Sequence, residues 1–93
     1  MDARRNAGFQ LRAVQRGVDP SDWKPMASVG PGVREIRIHT GLEHRVIYIA
    51  KFSEGVYVLH GFEKKSPKTP PRDVAIARSR LRELVRARRS EKR

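Results

Sequence analysis

The chain has no cysteine and few aromatic residues: one Trp, two Tyr and three Phe among 93. Without thiols there is no disulfide to staple the fold and no thiolate to hold a metal, a composition suited to a reducing compartment. No apolar run approaches the ~20 residues of a membrane-spanning helix. Met1-Asp2-Ala3-Arg4-Arg5-Asn6 has no apolar segment behind it, so no secretory signal is expected and the protein reads as soluble and cytoplasmic. There is no Gly-rich phosphate loop, no pair of acids and no nucleophile with a base at workable spacing. The three His are scattered without ligand-like spacing, so neither a metal nor another cofactor is expected. The length allows one small domain over 1–93 with a thin stability margin.

Positive charge is abundant. There are 21 Lys and Arg against 10 Asp and Glu, a formal net charge of +11. A small domain this basic points to a polyanionic partner, because phosphate contacts release counterions. The plainer reading is a basic surface that serves solubility alone. Residues 72–93 carry nine Lys and Arg against three acids. This segment is only moderately apolar and has no aromatic residue, which argues against membrane insertion and for a solvated or RNA-facing surface.

Ala7, Leu11, Val14 and Val18 recur at helical spacing, so a helix is expected over 3–18, ended by Gly17 and Asp19-Pro20. Residues 19–32 are dominated by Gly and Pro and read as a connector, with room for one short helical turn after Pro20. Trp23 and Met26 are its apolar anchors, with Trp23 either a lid on the core or a base-stacking platform. Val33–Ile38 alternates, and His44–Phe52 and Val56–Phe62 are rich in Val, Ile, Tyr and Phe. With Ser53-Glu54-Gly55 as a tight loop and 39–43 as a longer one, a three-stranded antiparallel meander is expected. After the polar loop 63–71, Thr69 is placed to cap a helix over 73–89, striped by Val74, Ala77, Leu81 and Leu84/Val85. Residues 88–93 read as a frayed basic tail. The fold class is α+β, with an N-terminal and a C-terminal helix packed on a small antiparallel sheet.

If the first hairpin is symmetric about Gly41, Arg37 faces Arg45 and Glu35 faces Ile47. Like charges opposite one another are destabilising, so Arg37→Ala/Arg45→Ala would hold or raise stability unless an anion sits between them. Lys64 and Lys65 follow the last strand and converge with Arg37 and Arg45 on one rim, a set of cations suited to a phosphodiester backbone. Alternatively, these are unrelated solvated charges. A symmetric second hairpin puts His60 beside Tyr48. His60 could then exchange protons near neutral pH or simply be a hydrogen-bonded core residue. Glu35, the one carboxylate among the cations, is a general base or an ion-pair partner for Arg37.

Trp23-Lys24-Pro25-Met26, Gly30-Pro31-Gly32-Val33-Arg34-Glu35-Ile36-Arg37, Arg45-Val46-Ile47-Tyr48 and the run from Leu59-His60-Gly61-Phe62 to Lys68-Thr69-Pro70 resemble the phage-derived branch of the RelE/HigB toxin superfamily. The resemblance covers about Asp2 to Leu84. It implies helices on a small sheet whose opposite, concave side binds mRNA in the ribosomal A site, and metal-free cleavage by 2′-hydroxyl attack on the adjacent phosphate. It assigns Arg37 and Arg45 to phosphate charge, and Lys64 or Lys65 to proton donation or phosphate binding. Glu35, Tyr48, His60 and Lys68 would have supporting or RNA-binding roles. Glu35 stands where relatives can carry a basic residue, and Tyr48 matches a family position. The implied partners are translated mRNA on the ribosome and a cognate antitoxin.

Family members begin with a strand that precedes the first helix, whereas here Met1 falls inside that helix. A missing strand would expose a sheet edge and invite a homodimer. The sequence thus supports a growth-arresting endoribonuclease that inhibits translation. A truncated or decayed toxin that binds RNA or antitoxin without catalysis is the alternative from another class. A subunit that meets an acidic partner protein is the third.

Overall fold

The computed structural model describes residues 3–15, 22–39, 43–52, 55–64 and 68–91. In chain order these form α1 (Ala3–Gln15), β1 (Trp23–Pro25), β2 (Val33–His39), β3 (Glu43–Phe52), β4 (Gly55–Glu63) and α2 (Pro71–Glu91). The strands make one antiparallel sheet in the order β1-β2-β3-β4. The architecture is the expected α+β one, with one strand more than the meander.

The added strand is β1, which sequence reasoning assigned to a connector. Its three residues pair Trp23 with Ile36, Lys24 with Glu35 and Pro25 with Arg34. So short a strand has no periodicity to read, and its proline is tolerated because the strand lies at the sheet edge. β1 covers the outer side of β2. On the other edge, β4 carries a bulge at Leu59, whose carbonyl accepts a hydrogen bond from Arg80 Nη1 at 2.9 Å. Both features blunt the edges against strand addition.

Alternation along the strands sends side chains to two faces, and each face has its own core. On one, Ile36, Ile38 and Tyr48 are buried against Ala7, Leu11 and Val14 of α1. On the other, Val33, Ile47, Ile49 and Leu59 are buried with Ala77, and Val74, Leu81 and Leu84 of α2 pack against them. The two helices therefore lie on opposite faces of the sheet. This corrects the expectation that both pack on one side and leave the other free for RNA.

The first hairpin has the expected register, with Arg37 opposite Arg45 and Glu35 opposite Ile47. The second does not. Ile47 faces His60 and Tyr48 faces Val58, with Leu59 as the extra residue between them. A bulge puts two residues opposite one, so His60 joins the α2 face while Tyr48 is buried on the α1 face. Gly55 closes this hairpin with φ of 141°, a region that side chains rarely adopt.

α2 starts at Pro71, where a missing N–H costs nothing. The Pro70 carbonyl accepts from the Asp73 and Val74 amides. The Thr69 hydroxyl, expected to cap the helix, is used elsewhere, as described below. α2 runs on to Glu91, through most of the stretch expected to fray. The expected end of the first helix, with Val18, Gly17 and Asp19-Pro20, lies outside the described residues.

Ile47 has no exposed surface and Val58 is about half exposed. Ile47→Ala is expected to cost about 2–5 kcal/mol, and Val58→Ala less than about 0.5 kcal/mol, in urea unfolding at equilibrium. Equal effects would contradict the assignment of Ile47 to the core beneath α2.

Candidate functional site

The α2 face of the sheet changes character halfway along. At one end β2 and β3 contribute Val33, Ile47 and Ile49 to the core. Two residues on from Val33, period-2 alternation presents Glu35, Arg37 and His39 in turn, and below Ile47 it presents Arg45 and Glu43. Lys24 joins from β1, opposite Glu35, and Lys64 follows the end of β4.

Glu35 is the centre of this half. Its side chain has no exposed surface. Lys24 Nζ lies 3.7 Å and Arg45 Nε 3.5 Å from Oε1, and the Thr69 hydroxyl donates to Oε2 at 3.0 Å. A buried carboxylate is tolerated when it is paired and hydrogen-bonded in this way. The hydroxyl expected to cap α2 instead ties the lead-in of that helix to the sheet.

The expected ion pair between Glu35 and Arg37 is absent. Arg37 Nη1 lies 3.9 Å from Asp22 Oδ1, and its amide donates to the Asp22 carbonyl at 2.9 Å. Arg45 is 8 % exposed and donates from Nη1 to Glu43 Oε2 at 2.9 Å and to the His44 carbonyl at 3.1 Å. The like-charged pair on neighbouring strands is thus offset by Glu35, Glu43 and Asp22. Four fixed cations (Lys24, Arg37, Arg45 and Lys64) stand among three carboxylates, not the bare cationic rim that the sequence suggested. Among the described residues, Arg37 Nε and Glu35 Oε1 are buried with no hydrogen-bond partner, so both retain capacity for a further contact.

His39 closes the network. Its Nε2 lies 2.8 Å from Asp22 Oδ2 and its Nδ1 2.8 Å from Glu43 Oε1. The bond to Asp22, then that to Glu43, raises its pKa above 6.5. The same bond from His39, then the one from Arg45, lowers Glu43 below 4.5. Lys64 is 8 % exposed and its amide donates to the Glu43 carbonyl at 2.7 Å. Burial lowers its pKa below 10.5. Glu35 opposes that shift, and Arg45, Lys24 and Arg37 add to it. An ammonium destabilised this way parts with a proton more readily than an exposed lysine.

The structure thus brings together Arg37, Arg45, Lys64 and Glu35. It separates Tyr48, which is fully buried on the opposite face in the α1 core. His60 lies on the α2 face but is engaged at both nitrogens. Its Nε2 is 2.7 Å from Asp73 Oδ1, and Arg80 Nη1 is 3.4 Å from Nδ1. These partners assign the proton to Nε2. With its ring stacked 5.3 Å from Phe62, His60 clamps β4 to α2. Lys68 is exposed ahead of α2, and Lys65 lies outside the described residues. Trp23 is half-buried with the Arg34 guanidinium 4.1 Å over its ring, which covers one face of the indole.

Lys24, Thr69, Asp22, His39 and Glu43 carry no local signal of a site in the sequence. Lys24 and Asp22 depend on β1, which has no pattern, and Thr69 looked like a cap. His39 and Glu43 flank a turn, where charged residues are ordinarily solvated. Among the described residues no group of three His, Asp or Glu could hold a metal ion, and no helix is long and apolar enough to cross a membrane.

A model of the family described as Phage derived protein Gp49-like (DUF891) matches residues 1–82, which include every site residue named above. Neither a curated protein nor a solved structure matches the chain.

Two measurements check this electrostatic picture. In an NMR titration His39 is expected to change charge above 6.5, and Asp22→Asn should bring that midpoint down. Since folding favours the protonated ring, its contribution to stability is complete below 6.5 and fades as pH rises through the raised value. An unmoved midpoint in Asp22→Asn would remove Asp22 as the cause. Arg45→Ala is expected to lose about 1–3 kcal/mol in urea unfolding, because it strips partners from Glu35 and Glu43. Equal or greater stability would restore the simpler like-charge argument.

Proposed function

We propose that this chain, which belongs to the phage-derived Gp49-like family, is the killer protein of a toxin–antitoxin addiction module and cleaves translated mRNA on the ribosome in the manner of RelE/HigB toxins. The observation that carries this reading is the cluster of Arg37, Arg45, Lys64 and Lys24 around buried Glu35, on the part of the α2 face that is charged rather than apolar. Four cations held at fixed positions suit a phosphodiester and the extra charge it acquires on attack.

In the proposed reaction the ribose 2′-oxygen bonds to the adjacent phosphorus and the bond from phosphorus to the 5′-oxygen breaks. The 2′-hydroxyl proton goes to water, and the departing 5′-oxygen takes a proton from Lys64. The products are a 2′,3′-cyclic phosphate and a 5′-hydroxyl. Arg37 and Arg45 carry the charge that builds on the phosphate. Glu35, fully buried, does not reach substrate. It fixes Lys24 and Arg45 from below and is a positioning residue. The setting is the bacterial cytoplasm, and an antitoxin protein holds the enzyme inactive.

The second reading, a non-catalytic RNA- or antitoxin-binding module, is favoured by one feature. Asp22, Glu35 and Glu43 already engage the cations, so an incoming phosphate must compete with carboxylates.

Induced expression in a bacterial host, followed by primer extension on a translated mRNA, separates the two. Growth arrest with cuts confined to translated regions is expected. A folded protein that gives neither would exclude the nuclease. Lys64→Arg keeps the charge but not the removable proton, so cleavage should fall about 10²–10⁴-fold while RNA binding persists. Undiminished cleavage by Lys64→Arg would strip Lys64 of its role as acid.

A further inference from the structure

The C-terminal half of α2 carries a second feature that the RNA rim does not use. Arg82, Arg86 and Arg89, with Leu81 and Val85, line an open groove of about 360 Å³. Spacings of four and three keep the arginines on one helix face. All three are exposed, and among the described residues none forms an ion pair or hydrogen bond. Like charges at these spacings repel one another. Glu83, next to Arg82 in sequence, forms no ion pair with them.

The floor of the groove is apolar. Leu81 turns one side to the core beneath α2, whereas Val85 is half-buried and belongs to neither core. The combination of cationic rim and apolar floor distinguishes among occupants. A phosphate backbone would satisfy the arginines but leave Leu81 and Val85 uncovered, and α2 offers no aromatic ring on which a base could stack. A second copy of this chain would bring its own excess of positive charge. An acidic amphipathic helix satisfies both parts. Its carboxylates take bidentate bonds from the guanidinium groups, and apolar side chains three and four residues apart lie on Leu81 and Val85.

We propose that this groove is the docking site for an acidic, amphipathic helical segment of a partner protein. It goes beyond the cleavage reading and does not depend on it. Leu81 lies eight residues past Asp73, about 12 Å along the helix axis from the end that meets the rim. Failure of the docking proposal would leave the cut sites on mRNA unchanged, and failure of the cleavage reading would leave peptide binding unchanged.

The test is fluorescence anisotropy with the full chain and three probes. The first is a synthetic helix of about five turns with Leu along one face and Glu flanking it. The second is a scrambled peptide of the same composition, and the third is a blunt RNA duplex. The amphipathic peptide is expected to bind at least about tenfold more tightly than the scrambled one. Arg82→Glu/Arg86→Glu and, separately, Val85→Asp should each weaken it by about tenfold or more. The Val85→Asp change should leave duplex binding unaltered.

Equal binding of the two peptides would reduce the groove to non-specific charge and overturn the proposal. So would a duplex affinity that depends on Arg82 and Arg86 with no effect of Val85→Asp on the peptide, which would make the face a nucleic-acid surface. Circular dichroism establishes that each variant folds. Should Val85→Asp lose its helix, the charge-reversed pair, built on exposed side chains, decides the matter with the scrambled peptide.

Discussion

A carboxylate removed from water needs partners, and the position of Glu35 forces three other parts of the chain to supply them. Lys24 ties in β1, Arg45 ties in β3, and Thr69 brings the lead-in of α2 onto the sheet. The backbone pairing of Lys24 with Glu35 gives β1 its register, so the weakest strand is held by the strongest electrostatic demand. Removing one partner from such a cluster costs more than the contact is worth alone, because the remaining charge stays buried. The apolar cores supply most of the stability of the fold, and the Glu35 cluster fixes where the elements meet at its polar end.

The placement of α2 follows from the same constraint. Thr69 anchors its start, and Asp73 holds His60 of β4 one turn later. From there the helix runs over Val33, Ile47, Ile49 and Leu59, and the charged half of that face lies towards its N-terminal end. α1 packs on the opposite face, against Ile36, Ile38 and Tyr48. Glu35, Arg45 and Lys64, the buried charged residues among those described, thereby lie together, where a low local dielectric strengthens each interaction.

The rim is a network of alternating charge. Lys24, Glu35, Arg45, Glu43, His39, Asp22 and Arg37 follow one another through contacts of 2.8 to 3.9 Å. Such an arrangement keeps arginines pointed and spaced before any ligand arrives, which reduces the ordering cost of binding an anion. The carboxylates also tune the site, because each competes with an incoming phosphate for the same guanidinium groups. This balance between preorganisation and competition sets how readily the rim accepts an anion.

Much of the fold was legible in the sequence because it rests on period and turn chemistry. Helical spacing placed α1 and α2, alternation and β-branched residues placed β2, β3 and β4, and the symmetric first hairpin put Arg37 opposite Arg45 and Glu35 opposite Ile47. The convergence of Arg37, Arg45 and Lys64 followed from that register, and the net charge of +11 pointed to an anionic partner. Tertiary structure decided the rest. A three-residue strand has no periodicity, so β1 and with it Lys24 were invisible. A bulge at Leu59 shifts register by a residue, which the local composition does not announce, so Tyr48 and His60 were paired when they face opposite sides. The Thr69 hydroxyl could bond its own helix or a distant carboxylate, and only the approach of Glu35, 34 positions away in sequence, settles that choice. Local pattern specifies the longer helices and strands. Which charges become buried, and beside which partners, is decided by long-range packing alone.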